Sequence, residues 1–398
     1  MIDTATSVRL VDQYCHGVLR AELGLGTFET YLGPAAGAPP ASGTTFFDTQ
    51  TGFAVRRWCP PLLGLEPHCP PAHYLARRRE LGVVEAGRRL LRGTGIATYL
   101  VDTGLPGDLA GPAEIATAGE AEAREIVRLE LLAEQVADTS GTVESFLANL
   151  AEAVHGAAGS AVAFTTVGAA AQVGIRPEPP GPGEVRGAAG RWLGARRVGD
   201  PPTDPALLRH LLWIAVATGL PLQLHVGVRD PMVLADFAAA TAGLGTDLVL
   251  LHGYPHHRSA AHLASTHPHV YADLGPALAR TGARAAAVLA ETLELAPFGK
   301  LLFSTGARGL PELHVVGART FRDALSRVLG GWVAEGAWSR ADAERVATML
   351  ASGNAGRVYG LGSGGRSGAP GPRASHHGPQ AEVSASARSG GVTEPAVD

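Results

Sequence analysis

The chain has 398 residues, 45% hydrophobic and 18% charged, with a formal net charge of −4 at pH 7. That is enough apolar material for a large buried core and is ordinary for a soluble enzyme, while the slight acidity and a longest basic run of only Arg77-Arg78-Arg79 argue against nucleic acid as a partner. No stretch is long and apolar enough to suggest a membrane span, Met1-Ile2-Asp3-Thr4 does not start like a signal peptide, and the 3 scattered cysteines, Cys15, Cys59 and Cys69, suit a reducing compartment, so a cytoplasmic protein is expected.

In chain order, short apolar runs alternate with longer amphipathic ones, the rhythm of βα units. A first strand is expected over about Val8–Asp12, followed by a long insertion with Pro and Gly through Gly33–Gly43 and the stretch Trp58-Cys59-Pro60-Pro61. A helix then runs over about Ala72–Leu91, strand two over about Ile96–Asp102 and strand three over about Glu125–Leu131. A helix over Val143–His155 leads to strand four, Ala161–Thr166, and to a Gly/Pro-rich loop, Arg176–Glu184. Pro205–Thr218 reads as a helix, Leu222–His225 as strand five, Met232–Ala242 as a helix and Leu248–His252 as strand six. The last units are a helix over Arg258–Thr266, strand seven at Val270–Asp273, a helix over Arg280–Leu295, strand eight at Leu301–Ser304, and helices after Leu313 and Ser339.

Eight strands, each followed by a helical segment, predict an α/β protein of the (β/α)8 TIM-barrel class, with an insertion after strand one. A doubly wound open sheet is the competing architecture, but Asp12 leads into Gln13-Tyr14-Cys15-His16-Gly17 without a glycine fingerprint. The barrel is expected to occupy residues 1–360, and the Ser/Gly/Pro-rich segment 361–398 to be a disordered tail.

In a TIM barrel the C-terminal strand ends form the active-site mouth. His16, His225 and His252 all sit at or just past such ends, and imidazoles converging from several strands suit Zn²⁺. Cys15, between Tyr14 and His16, should face away from the mouth. Asp230, before Pro231, reads as a helix cap. His256, His257 and His314 read as loop or helix residues.

The stretches Leu10-Val11-Asp12-Gln13-Tyr14-Cys15-His16-Gly17, Pro221-Leu222-Gln223-Leu224-His225, Val249-Leu250-Leu251-His252-Gly253-Tyr254-Pro255 and Leu301-Leu302-Phe303-Ser304, with Leu310-Pro311-Glu312-Leu313-His314, resemble the amidohydrolase-related branch of the amidohydrolase superfamily. Trp58-Cys59-Pro60 and Asp204–Arg209 are similar too, so the resemblance spans about residues 9–358. It implies a metal-dependent hydrolase type of barrel, with one or two divalent metals at the mouth lowering the pKa of bound water. It also implies His16 and His225 as metal ligands and His252 as a catalytic or second-metal residue. Three positions depart from the pattern: Tyr14 stands where the first-strand motif has its first histidine, Thr165 where relatives often have a bridging lysine, and Gly306 where the strand-eight aspartate falls. Asp273 and Glu312 are the candidate substitutes for the lost acid/base. Two readings stay open. One is a hydrolase of a small molecule, cleaving a C–N or ester/lactone bond with one divalent metal, zinc foremost. The other is a non-catalytic barrel without metal, binding a small molecule or a partner protein. A decarboxylase-type lyase is a further alternative, and relatives often pair as homodimers.

Overall fold

The computed structural model describes residues 8–33, 39–105, 107–168 and 176–362. The expected tail from 363 onward, and the part of the Pro/Gly-rich stretch at 34–38, lie outside the described residues. Eight parallel strands run in sheet order β1 to β8: β1 Leu10–Cys15, β2 Ile96–Asp102, β3 Glu122–Arg128, β4 Ala163–Thr166, β5 Leu222–His225, β6 Leu248–Leu251, β7 Val270–Asp273 and β8 Leu301–Leu302. Backbone hydrogen bonds join the first strand to the segment after the last: Gln13 N to Phe303 O at 3.1 Å, Gly306 N to Tyr14 O at 3.0 Å and His16 N to Ala307 O at 2.8 Å. The sheet is thereby closed into the expected (β/α)8 TIM barrel.

β4, β6 and β8 are one or two residues shorter than expected, and β1 and β3 are shifted by more. β1 runs to Cys15, past the polar Asp12 and Gln13, because both are fully buried and find partners inside the fold. β3 starts and ends three residues earlier than expected, and the apolar Leu129, Leu131 and Leu132 open the Leu129–Asp138 helix instead. Half-exposed Glu and Arg residues form the start of β3, so a search for a buried apolar run slides off it.

Barrel-facing and helix-facing side chains separate into two clusters. Val11, Leu100, Ile126, Ala163, Val249, Leu251 and Leu302 fill the interior with Tyr14, Tyr271 and Tyr359. Leu10, Cys15, Val101, Phe164, Leu224, Leu250 and Ala272 pack outward on the helices. The β1–β2 pairing slips between Asp12 and Cys15, and across that slip Tyr14 joins the inner cluster while Cys15 joins the outer one. Within the interior, Gln223 Nε2 donates to Gln13 Oε1 at 3.0 Å and Tyr359 OH at 2.9 Å, and Tyr359 OH donates to Gln13 Oε1 at 2.5 Å. This buried polar layer ties β1 and β5 to the Asn354–Tyr359 helix.

The insertion after β1 builds a separate apolar cluster, Phe28, Phe47, Val55, Leu63, Tyr74 and Leu90, against Val315 and Val316 of the Pro311–Ala334 helix. Its own long helix, Pro71–Gly93, breaks direction at Gly82, whose φ of 76° is open to glycine. Among the described residues no helix is long and apolar enough to cross a membrane.

Candidate functional site

His16 follows β1, His225 ends β5 and His252 follows β6, so the barrel carries all three imidazoles to its C-terminal face. His16 Nδ1 lies 3.0 Å from the backbone carbonyl of Asp102, the last residue of β2. An imidazole N–H facing a carbonyl must donate, which leaves Nε2 as the acceptor of neutral His16. That nitrogen lies 2.9 Å from the Tyr14 hydroxyl, which also reaches Asp102 Oδ2 at 3.0 Å. Arg128, the last residue of β3, donates to the same carboxylate oxygen at 2.5 Å and to Gly104 O at 3.1 Å. Gly104 N donates to Asp102 Oδ1 at 2.8 Å. The Tyr14 hydroxyl gives its one proton to Asp102, so Arg128, Asp102, Tyr14 and His16 lie in a row beneath the β1–β3 ends, with His16 Nε2 facing the phenol oxygen without a proton between them.

The Tyr14 ring meets each of the three imidazoles edge to face, with centroids 5.2 Å from His16, 4.9 Å from His225 and 5.6 Å from His252. His225 and His252 lie 4.8 Å apart, ring to ring. A phenol therefore stands among the histidines. Among the described residues, no three His, Cys, Asp or Glu side chains at the mouth bring donor atoms within 4.8 Å of one another; the group that does, Asp12, Cys15 and His314, lies on the outer side of β1.

Burial sets the protonation states. It lowers His16, and it drives His225 well below the usual imidazole range, with His252 and Arg128 adding to the effect. Burial and then the Arg280 guanidinium bring His252 down to about 3. Burial and the neighbouring Asp102 push the Tyr14 phenol well up. At neutral pH the cluster is three neutral imidazoles and a neutral phenol. His225 Nε2, His252 Nδ1 and the Thr165 hydroxyl are buried without a hydrogen-bond partner.

His252 has a φ of 61°, a left-handed conformation that costs a non-glycine residue about 1–3 kcal/mol and is often retained at functional sites. Gly306, in the segment after β8, has a φ of 55°; a Cβ built there would lie 2.3 Å from Pro276 Cγ and 3.4 Å from His252 Cε1. A side chain at this position would adjoin His252, but the Pro276 ring now fills that space.

Of the two candidate acid/base residues, Asp273 lies at the end of β7, where Gln13 Nε2 donates to Oδ1 at 3.2 Å, Gly275 N to Oδ1 at 3.0 Å and Ser304 Oγ to Oδ2 at 3.0 Å. Burial raises its carboxyl to about 7 against the pull of those donors. Glu312 is fully buried and receives Tyr74 OH at 2.9 Å and Arg78 Nε at 2.9 Å, both from the insertion's long helix. Its carboxylate is committed to docking the insertion. Asp230 caps the short Pro231–Leu234 turn, accepting from Met232 N at 3.0 Å.

A pocket of about 970 Å³ opens beside His225, lined also by Arg128, Glu130, Arg229, Leu105 and Val167 among others. Glu130 Oε1 holds the β4 exit by accepting from Val167 N at 3.0 Å and Gly168 N at 2.9 Å, while its Oε2 and Arg128 Nε are buried without partners. Sequence reasoning missed Asp102, Arg128 and Glu130. Asp102 was visible as the polar end of a strand; Arg128 was hidden because β3 was expected to run past it.

A family model described as amidohydrolase matches residues 100–361. Protein fluG of Emericella nidulans is 34% identical over 183 residues, which is 42% of this chain and 21% of that protein. The chain therefore spans about a fifth of the length of this curated relative. Among solved structures, a protein of Lactobacillus casei assigned as a metal-dependent hydrolase superposes with a TM-score of 0.77 at 22% identity, covering 90% of this chain and 97% of that one. The uronate isomerase of Thermotoga maritima superposes with a TM-score of 0.59 at 13% identity, covering 90% and 96%. Both share the barrel fold.

Proposed function

We propose that this chain, which belongs to the amidohydrolase family, binds a small molecule at its barrel mouth, and that Tyr14 takes the place there of the divalent metal its relatives generally hold. The observation that carries this reading is the Tyr14 ring, within 4.9–5.6 Å of all three imidazoles. Zinc needs its imidazole nitrogens about 2.0–2.1 Å away, so one ion cannot share that centre with a six-membered ring. The donor set is short in other ways. Gly306 offers no carboxylate, Thr165 no amine to carbamylate, and His16 Nε2 faces the Tyr14 hydroxyl. As the side chains stand, the mouth does not fit the family's metal.

What it does fit is a neutral or weakly polar ligand with both donors and acceptors. Arg128, Glu130, His225 and Arg229 supply the pocket's polar lining. Leu105, Leu131, Val167, Leu208 and Val233 supply apolar wall. Fixing the carboxylate of Asp102 between Arg128 and Tyr14 keeps both side chains preorganised rather than mobile.

Tyr14→His tests the reading directly. The variant is expected to gain a zinc ion that wild type lacks at the mouth, and His225→Ala is expected to leave the metal content of wild type unchanged. If His225→Ala removes a metal from wild type, Tyr14 does not hold that place.

A second reading, a hydrolase with one metal, is favoured by the bare, neutral nitrogens His225 Nε2 and His252 Nδ1. These two would hold the ion, with His16 completing the set once Tyr14 turns aside. Bound there, the ion would polarise a carbonyl and acidify a water. A chelator-sensitive amidase, esterase or lactonase activity that His252→Ala abolishes would select this reading over the first.

A further inference from the structure

We infer that Asp12, Cys15 and His314 form a second, buried metal site, outside the barrel and separate from the mouth, that takes a borderline-soft divalent cation such as Zn²⁺. The three donor atoms lie within 4.8 Å of one another, and all three residues are 0% exposed. They come from opposite ends of the chain: Asp12 and Cys15 from β1, His314 from the first turns of the Pro311–Ala334 helix that packs on it.

Two details favour an ion over a plain hydrogen-bonded cluster. His314 Nδ1 stands 3.6 Å from Asp12 Oδ2, beyond hydrogen-bond range. Ligand bonds of about 2.0–2.3 Å at tetrahedral angles put neighbouring donors roughly 3.5 Å apart, which matches that gap. Second, neither ring nitrogen of His314 has a hydrogen-bond partner although the side chain is fully buried. A buried imidazole needs at least its N–H satisfied. The Tyr99 ring packs edge-on against it, 5.6 Å away, and supplies no acceptor.

The surroundings suit ligation. Thr305 N donates to Asp12 Oδ1 at 2.8 Å and Thr305 Oγ1 to Oδ2 at 2.5 Å, which fixes the carboxylate as an outer partner fixes a metal ligand. Cys15 Sγ contacts Leu100 O at 3.5 Å and the Asp12 carboxylate, and metal binding would release its thiol proton to solvent. One thiolate, one imidazole and one carboxylate select zinc, cobalt or iron over magnesium or calcium. The ion would bridge β1 to the helix after β8, across the seam where the barrel closes. It would therefore be structural, and its donors point away from Tyr14 and His16.

The test uses the full chain refolded with Co²⁺ in place of Zn²⁺. The expected result is a thiolate-to-cobalt charge-transfer band that is lost in Cys15→Ser and in His314→Ala and kept in His225→Ala. Cys59 and Cys69 are the chain's other thiols, so Cys59→Ala with Cys69→Ala is expected to keep the band, which assigns it to Cys15 even if Cys15→Ser does not fold; loss of the band in that variant overturns the inference. Wild type that refolds with cobalt and shows no such band overturns the inference, as does cobalt whose spectrum is unchanged in Cys15→Ser. Metal at the mouth instead would give a sulfur-free spectrum that His225→Ala removes, so failure here is distinct from failure of the Tyr14 reading.

Discussion

At the scale of single residues, the mouth is governed by how buried charges are compensated. Asp102 is buried and accepts from Arg128 and Tyr14. Removing one partner of a buried ion pair leaves the other uncompensated and costs about 3–5 kcal/mol. Arg128→Ala is therefore expected to destabilise by about 3 kcal/mol, the lower end because Arg128 is partly exposed, as read from the urea midpoint. It should also abolish ligand binding in the adjoining pocket; an unchanged midpoint would mean that Asp102 finds compensation elsewhere. Asp273 gives a pH signature of the opposite kind to most carboxylates. Its folded-state value of about 7 lies above the ordinary 3.8, so between those values the folded chain binds more protons than the unfolded one. Stability from this group is fully present below pH 4 and falls as pH rises towards 7, by an amount on the order of a few kcal/mol at most. His252, lowered to about 3, acts in reverse, losing stability as pH falls below its ordinary 6.5, so the two partly cancel in wild type. The difference between wild type and Asp273→Asn isolates the carboxyl: the variant is expected to gain stability relative to wild type as pH rises from 4 to 8, measured by thermal unfolding across that range. A constant difference would place Asp273 in the ordinary carboxylate range.

At the scale of elements, the segment after β8 shows why a lost carboxylate is not simply restored. Gly306 combines a left-handed φ of 55° with a Cβ position 2.3 Å from Pro276 Cγ. Gly306→Asp is expected to cost about 1–3 kcal/mol and to lower Tm by several degrees. Pairing it with Pro276→Ala should recover part of that loss, because the Cβ clash goes and the φ strain stays. If the single variant is as stable as wild type, the segment is softer than its packing implies. The elements also differ in how far they could be read from the sequence. β2, β5, β6 and β7 were legible because Val, Leu and Ile runs ending in polar residues follow from burial on both faces. β3 was not, because Glu122–Glu125 are mostly exposed and the apolar signal sits in the following helix. That displaced Arg128 from the strand end to its middle and hid its pairing with Asp102. The histidines at strand ends were legible from periodicity. That a tyrosine two residues away stands among them was not, because it depends on the β1 pairing slip between Asp12 and Cys15.

At the scale of the whole molecule, the barrel and its insertion are held by different means, and the insertion should open before the barrel. The barrel is closed by backbone hydrogen bonds between residues 13–19, in and after β1, and residues 303–309, and β8 contributes only Leu301 and Leu302 to the ladder. The insertion instead leans on one buried ionic contact set within an apolar cluster: Arg78, 1% exposed, donating to Glu312 Oε1 at 2.9 Å and to Glu22 Oε1 at 2.9 Å. Glu312 and its neighbours Val315 and Val316 belong to the helix that also backs β1, so this contact joins the two packing systems. Arg78→Ala leaves Glu312 buried with only Tyr74 as donor. The expected cost is again about 3 kcal/mol or more, and it should be spent locally. Amides over residues 50–91 are expected to exchange faster in hydrogen–deuterium exchange, while those of β5 and β6 keep wild-type protection, since sub-global opening needs less than global unfolding. Uniform loss of protection across both would mean that the insertion and barrel unfold as one unit. Glu312→Gln separates the two roles a sequence could give this residue. As the docking carboxylate described here it should lose stability while ligand binding at the mouth is unchanged; loss of binding at full stability would return Glu312 to the acid/base candidates.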